Sequence, residues 1–92
     1  MKRESKSSLK QWFVYILEAD DGSWYTGITT DVGRRFSEHS SGLKGARYFR
    51  GRKPRTIVFQ EEAPDRSGAL QREAQIKKMS RAQKERMVES VG

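Results

Sequence analysis

WFVYILEADDGSWYTGIT, residues 12–29, is the stretch whose reading decides the fold. Trp12 to Glu18 is a β-branched and aromatic run, too short for a helix and bounded by turn residues, which reads as a strand. Trp24 to Thr29 reads the same way. Between them, Asp20-Asp21-Gly22 suits a three-residue hairpin loop built on a type I turn, with Gly22 in the left-handed position. Loop length matters because it sets the register. A two-residue loop would place Tyr15 opposite Ile28 and send Tyr15 and Tyr25 to opposite faces. The three-residue loop places Tyr15 opposite Gly27 and Leu17 opposite Tyr25, so both phenols share one face. It also leaves open space at Gly27, beside the Tyr15 ring. The three-residue loop is the expectation.

Working outward, Thr30 or Asp31 can cap a helix running to about Ser40. Val32 and Phe36 form its apolar stripe, and Arg35 and His39, also four apart, share a neighbouring face. Gly33 weakens this helix by roughly 1 kcal/mol relative to Ala, so packing must supply much of its stability. SSGLKGARYFRGRKP, residues 40–54, reads as a basic loop. RTIVFQEE, residues 55–62, is a third strand, expected at the centre of the sheet because it is the most apolar on both faces. Asp65 or Ser67 opens a helix through Met79, with Ala69, Glu73, Ile76 and Lys77 along one side. A last helix starts at Ser80, has Gln83 at the capping-box position, and buries Met87 and Val88. Residues 1–10 read as a polar, frayed tail and 11–92 as a single domain without internal repeats. The order ββαβαα implies the α+β class: a small three-stranded antiparallel sheet flanked by helices.

Composition narrows the function classes. The 92 residues suffice for one modest core. Without cysteine, disulfides, thiolate metal sites and a Cys nucleophile are excluded. No apolar run approaches a membrane span and no signal-peptide core is present, so the expected compartment is the cytoplasm. The net charge of +7 is localised: from Arg34 to Arg55 there are eight basic residues against one acidic residue, Glu38, while the remainder balances eleven with eleven. All the excess sits in one glycine-interleaved segment, as expected of a polyanion-binding surface. Arg34, Lys44, Arg47, Arg50, Arg52 and Lys53 are its candidate phosphate contacts. Tyr48 or Phe49 could stack on an unpaired base, or Tyr48 could fold back on the sheet.

Tyr15, Tyr25, Arg35, His39 and Glu73 follow one another at steps that interest the chemist. Phenols can orient a water, a guanidinium can hold phosphate oxygens as charge builds, and a carboxylate can hold a cation. A free phenol has a pKa near 10 and is a poor base unless neighbours lower it. From about Trp12 to Met87 the chain resembles the GIY-YIG nuclease superfamily, in particular its small stand-alone YhbQ-like (UPF0213) members. Residues 13–15, FVY, stand for the family's first tripeptide, with Phe13 in place of glycine. Residues 25–27, YTG, stand for the second. Arg35, ten residues after Tyr25, matches the family's arginine, His39 the following histidine or tyrosine, and Glu73 its metal-binding glutamate. Residues 41–54 are close to the YhbQ-like glycine-rich basic run, with Phe49 in place of a threonine.

That resemblance implies a catalytic set of Tyr15, Tyr25, Arg35, His39 and Glu73, with one of the phenols helping to activate the attacking water. It implies one divalent cation, Mg²⁺ or Mn²⁺, on Glu73, and Gly22 and Gly27 in structural roles. The implied activity is metal-dependent hydrolysis of DNA phosphodiester bonds, in repair or recombination, with RNA as another partner. The alternative is a weakly active or inactive nucleic-acid-binding module on the same fold. No evident base-reading device accompanies the basic segment, so selectivity is expected to follow shape or to come from a partner protein. The charge distribution makes a first prediction. Affinity for DNA, titrated between about 50 and 200 mM salt, should fall linearly on logarithmic axes; a flat response would exclude a phosphate-contacting surface.

Overall fold

A computed structural model of the chain describes residues 11–42 and 47–91. The elements run β1 (Trp12–Ala19), β2 (Trp24–Thr29), α1 (Val32–Ser41), a short 3-10 turn (Arg47–Phe49), β3 (Pro54–Ala63), α2 (Arg66–Lys77) and α3 (Arg81–Val91). This is the α+β order ββαβαα, with one antiparallel sheet of order β2-β1-β3. The tail assigned to residues 1–10 and the candidate contact Lys44 lie outside the described residues.

The β1–β2 hairpin has the register of the three-residue loop: Tyr15 pairs with Gly27 and Leu17 with Tyr25. Gly22 donates its N–H to the Ala19 carbonyl at 2.9 Å, and Ala19 donates to the Ser23 carbonyl at 2.8 Å. Gly22 carries the left-handed conformation, at φ 86°. The central strand, however, is β1 and not β3. Val14, Tyr15, Ile16 and Leu17 are each at most 1% exposed, so β1 is covered on both faces, whereas Ile57 on β3 is 39% exposed. The expectation misjudged apolarity: Trp12–Leu17 is six consecutive apolar residues, whereas the apolar run of β3 is only Ile57–Phe59, and the strand with the longer run takes the covered, central place. The β1–β3 ladder is also irregular between Ile16 and Leu17 and again between Glu18 and Ala19. Such bulges suit an edge strand, where they disturb a surface that would otherwise template further pairing.

Alternation along β1 divides the interior in two. Val14 and Ile16 pack with Phe59 and Ala63 of β3 and with Ala69 and Ile76 of α2, bordered by Trp24, Ile28, Met87 and Val88. Tyr15, Leu17 and Ala19 face the other way, onto Val32 of α1 and Phe49, bordered by Tyr25, Phe36 and Tyr48. Helix ends follow ordinary capping chemistry. Asp31 accepts from the Arg34 N–H at 3.0 Å and Asp65 from the Gly68 N–H at 2.7 Å. Ser80 and Gln83 form a reciprocal capping box, Gln83 N–H to Ser80 Oγ at 3.2 Å and Ser80 N–H to Gln83 Oε1 at 2.9 Å. Arg81 binds α3 to the hairpin, lying 4.0 Å over the Trp24 ring and donating to the Gly22 carbonyl at 3.1 Å.

Gly22 offers a clean test of the loop. No heavy atom lies within 4 Å of a Cβ added there, so any cost is conformational rather than steric. Gly22→Ala is expected to lower unfolding free energy by about 1–2 kcal/mol, seen as a reduced urea midpoint at unchanged slope. An unchanged midpoint would mean that the loop tolerates a side chain in the left-handed region without strain.

Candidate active site

Tyr15 lies at the centre of the sheet with its ring directed over Gly27. A Cβ built on Gly27 would sit 2.6 Å from the Tyr15 hydroxyl oxygen, closer than any real contact, so only glycine accommodates the phenol in this place. Beyond it, the Tyr15 hydroxyl is hydrogen-bonded to His39 Nε2 at 3.2 Å. His39 arrives there because α1 places it one turn beyond Arg35, on the side of the helix turned to the sheet. It is 1% exposed.

An aromatic cluster surrounds this pair. The Tyr25 ring lies 6.3 Å from that of Tyr15 and 5.5 Å from that of His39, edge-on to the latter. Phe49 packs on His39 at 4.5 Å and on Tyr25 at 5.3 Å. Tyr48 folds back on the sheet, 5.2 Å from Tyr25 and 5.1 Å from Phe49. The two phenols differ in circumstance. Tyr15 is buried and engaged with His39, whereas Tyr25 is half-buried and its hydroxyl makes no hydrogen bond to another described residue.

Burial, and then the neighbouring Tyr25, push the Tyr15 phenol well above its ordinary pKa; Arg35 pulls it down and the Glu73 carboxylate pushes it up. Tyr15 therefore keeps its proton at neutral pH. His39 is lowered to about 4, mainly by desolvation and secondarily by the Arg35 charge, with Glu38 opposing. The ring is neutral. Its Nε2 accepts from the phenol when the ring proton is on Nδ1 and donates to it when the proton is on Nε2. Burial acts to lower Arg35, but the Glu38 hydrogen bond and the Tyr15 phenol outweigh it and leave the guanidinium raised.

Arg35 lies on the solvent side of the cluster, with NH1 2.6 Å from Glu38 Oε1. It borders a cleft of about 360 Å³ with Trp12, Arg34, Glu38 and Arg66. Glu73 belongs to α2, which packs on the opposite face of the sheet from α1, and its Oε2 is 3.3 Å from Lys77 Nζ. Among the causes of the raised Tyr15 pKa, Glu73 is the smallest. Glu73 is the residue here that could hold a cation. Among the described residues no three of His, Asp and Glu gather to enclose one.

The basic segment is less uniform than its sequence. Arg47, Arg50 and Lys53 are exposed around a depression of about 620 Å³ that reaches His39 and Phe49. Arg34 is exposed and 3.8 Å from Glu38, and Arg55 is 3.7 Å from Glu18. Arg52 is engaged within the protein, paired with Asp21 at 2.9 Å. Phe49, one of two candidate stacking side chains with Tyr48, is buried against His39, and Tyr48 takes the folded-back alternative. Sequence reading had not singled out Arg66 on the Arg35 cleft, nor Asp21 and Ser23 as partners of the basic loop. The adjacent aromatic pair Tyr48-Phe49 was the available signal that this loop turns inward.

Comparison with known proteins sets this geometry in context. Residues 11–86 match the family model described as the GIY-YIG catalytic domain. The chain is 49% identical to UPF0213 protein DP2720 of Desulfotalea psychrophila, covering 86% of this chain and 72% of that one. It is 48% identical to UPF0213 protein YhbQ of Escherichia coli, covering 84% and 76%. The solution NMR structure of the UPF0213 protein BH0048 from Bacillus halodurans is similar in fold, with a TM-score of 0.55 and 49% identity over 86% of this chain and 83% of that one.

His39 is the one histidine in the chain, so its ring signals can be followed without ambiguity. An NMR titration should give a midpoint near pH 4. Because the folded value lies below the unfolded value of about 6.5, the unfolded chain binds the proton more readily. The His39 contribution to stability is therefore complete above pH 6.5 and lost as pH falls towards 4. In His39→Gln that component of the acid dependence should be missing. A titration midpoint of 6 or above would contradict the buried, neutral ring.

Proposed function

The chain belongs to the GIY-YIG family, and from that membership and the cluster around Tyr15 we propose a divalent-metal-dependent endonuclease that hydrolyses DNA phosphodiester bonds. The supporting observation is the Tyr15–His39 hydrogen bond at 3.2 Å, with the Arg35 guanidinium acting on both partners. A buried histidine bonded to a phenol next to a guanidinium is a costly arrangement for a purely structural core. A nucleic-acid-binding surface alone would not need it either.

The residues present fit one divalent cation. Glu73 offers a single carboxylate, and without an enclosing set of ligands among the described residues the remaining positions would fall to water and phosphate oxygens, the usual manner of Mg²⁺. When bound, Mg²⁺ or Mn²⁺ supplies Lewis-acid stabilisation of the phosphate oxygens. Arg35 presents a planar fork that binds two of those oxygens in place of Glu38. Tyr25, with its hydroxyl uncommitted among the described residues, orients the attacking water. Tyr15 keeps its proton and, with His39 beneath it, holds a hydrogen-bonding hydroxyl in a fixed place. The reaction adds water across one ester bond. Its oxygen joins phosphorus, the departing sugar oxygen takes up a proton, and one hydroxyl end and one phosphate monoester end result.

Arg34, Lys44, Arg47, Arg50 and Lys53 supply sequence-independent affinity for the DNA backbone, and RNA would meet the same charges. Repair or recombination in the cytoplasm is the proposed setting, with a partner protein directing the activity to its target. Among the described residues no helix is long and apolar enough to cross a membrane.

The test is cleavage of labelled duplex, flap and single-stranded DNA with Mg²⁺ or Mn²⁺, with binding followed on the same substrates. Glu73→Ala should abolish cutting and leave binding intact, and chelation of the metal should do the same to the wild type. Tyr25→Phe should lower kcat by about 10²-fold or more. Equal trace cutting by all three proteins, with tight binding, would replace the enzyme by a binding module on this fold.

A further inference from the structure

The β1–β2 loop and the 3-10 turn meet in a closed ring of polar contacts outside the phenol–histidine cluster. Asp21 Oδ1 accepts from the Ser23 N–H at 3.0 Å and from the Ser23 hydroxyl at 2.5 Å. Asp21 Oδ2 accepts from Arg52 Nε at 2.9 Å. Arg52 NH1 donates to the Tyr48 carbonyl at 3.0 Å, while the guanidinium carbon stands 4.2 Å over the Tyr48 ring. Tyr48 completes the ring by donating its hydroxyl hydrogen to Ser23 Oγ. Each of these four residues thus holds two others. Hydrogen bonds from Ser23, and then from Arg52, keep the Asp21 carboxyl well below the usual range, so its charge persists in moderate acid.

What this ring fastens is the wall of the site. A three-residue 3-10 turn has little stability of its own. Yet this one carries Tyr48 against Tyr25, and Phe49 against both Tyr25 and His39. The Arg52 guanidinium is committed on its edge to Asp21 and the Tyr48 carbonyl and on its face to the Tyr48 ring. A phosphate could recruit it only by undoing that arrangement. Arg47 and Arg50, exposed on the same segment, carry no such commitment among the described residues.

We propose that Asp21, Ser23, Tyr48 and Arg52 form a latch that positions Tyr25 and His39, and that Arg52 is a positioning residue rather than a phosphate contact. The consequence for catalysis rests on the nuclease reading; the latch itself does not. Its test therefore has readouts in the free protein and with DNA. Arg52→Ala should move the His39 ring NMR signals because the Phe49 ring 4.5 Å from the imidazole is released. Tyr48→Phe, which removes only a hydroxyl, should move them in the same direction. The logarithmic dependence of DNA affinity on salt should keep its slope in Arg52→Ala, whereas Arg47→Ala or Arg50→Ala should reduce it by about 1. Cleavage by Arg52→Ala should show a kcat lowered by about 10- to 100-fold with KM little changed. Arg52→Lys, which keeps the charge but lacks the fork, should not restore it. Unmoved His39 signals, or a salt slope reduced by about 1 with kcat retained, would overturn the latch and return Arg52 to the phosphate-binding set. If the wild type itself fails to cut, the NMR and salt readouts still decide the latch, while the nuclease reading alone fails.

Discussion

A phenol over a glycine is the constraint on which the rest of this molecule depends. The Tyr15 hydroxyl occupies the space that a Cβ at position 27 would need, 2.6 Å away. That arrangement requires the Tyr15–Gly27 pairing, which requires a loop of three residues, which in turn uses the left-handed conformation at Gly22. Slip the pairing by one residue and every side chain of β2 changes face. Tyr25 would leave the cluster, and the α1 residues that meet it would face different neighbours. The local chemistry of Asp20-Asp21-Gly22 thus sets the geometry of residues far along the chain.

Burial then assigns the electrostatic character of the site. Tyr15 and His39 are both almost inaccessible, and each is held in its neutral form, the phenol by a raised pKa and the imidazole by a lowered one. Two neutral groups in a hydrogen bond avoid the cost of a buried charge, and the charged members, Arg35 and Glu73, stay nearer water. The elements that deliver them come from both faces of the sheet. Helix α1 brings arginine and histidine to the face that carries the phenols, whereas α2, which carries Glu73, packs on the face opposite.

Much of this was legible before any coordinates. The hairpin register followed from turn chemistry, and the α+β order from the alternation of short apolar runs with helical ones; the helix starts were read as Thr30 or Asp31, Asp65 or Ser67, and the Ser80–Gln83 pair, and the caps are Asp31 and Asp65. Each is set by residues within a few positions of one another, where local rules are strongest. What could not be read were properties that depend on distant parts of the chain. The central place of β1 over β3, by contrast, was there to be read, since the six apolar residues Trp12–Leu17 demand cover on both faces and the three of Ile57–Phe59 do not. Tyr48 and Phe49 read as alternative platforms beside arginines, yet both turn inward onto Tyr25, and Phe49 onto His39 as well. Arg52 reads as one more positive charge in a run; only its meeting with Asp21, across the fold, distinguishes it from Arg47 and Arg50. For the candidate site, sequence could name the reactive side chains, but not their burial or which phenol is committed to a partner.

The two charged residues of the site are not bare at rest. Arg35 holds Glu38 at 2.6 Å one turn along α1, and Glu73 holds Lys77 at 3.3 Å one turn along α2. Each helix therefore provides an internal counterion for its own candidate residue. On the proposed function, an incoming phosphate would take the place of a carboxylate and an incoming cation the place of an ammonium, so that association becomes an exchange of like for like. Such a swap keeps both groups solvated by opposite charge throughout, and holds the idle side chains in one orientation until nucleic acid arrives.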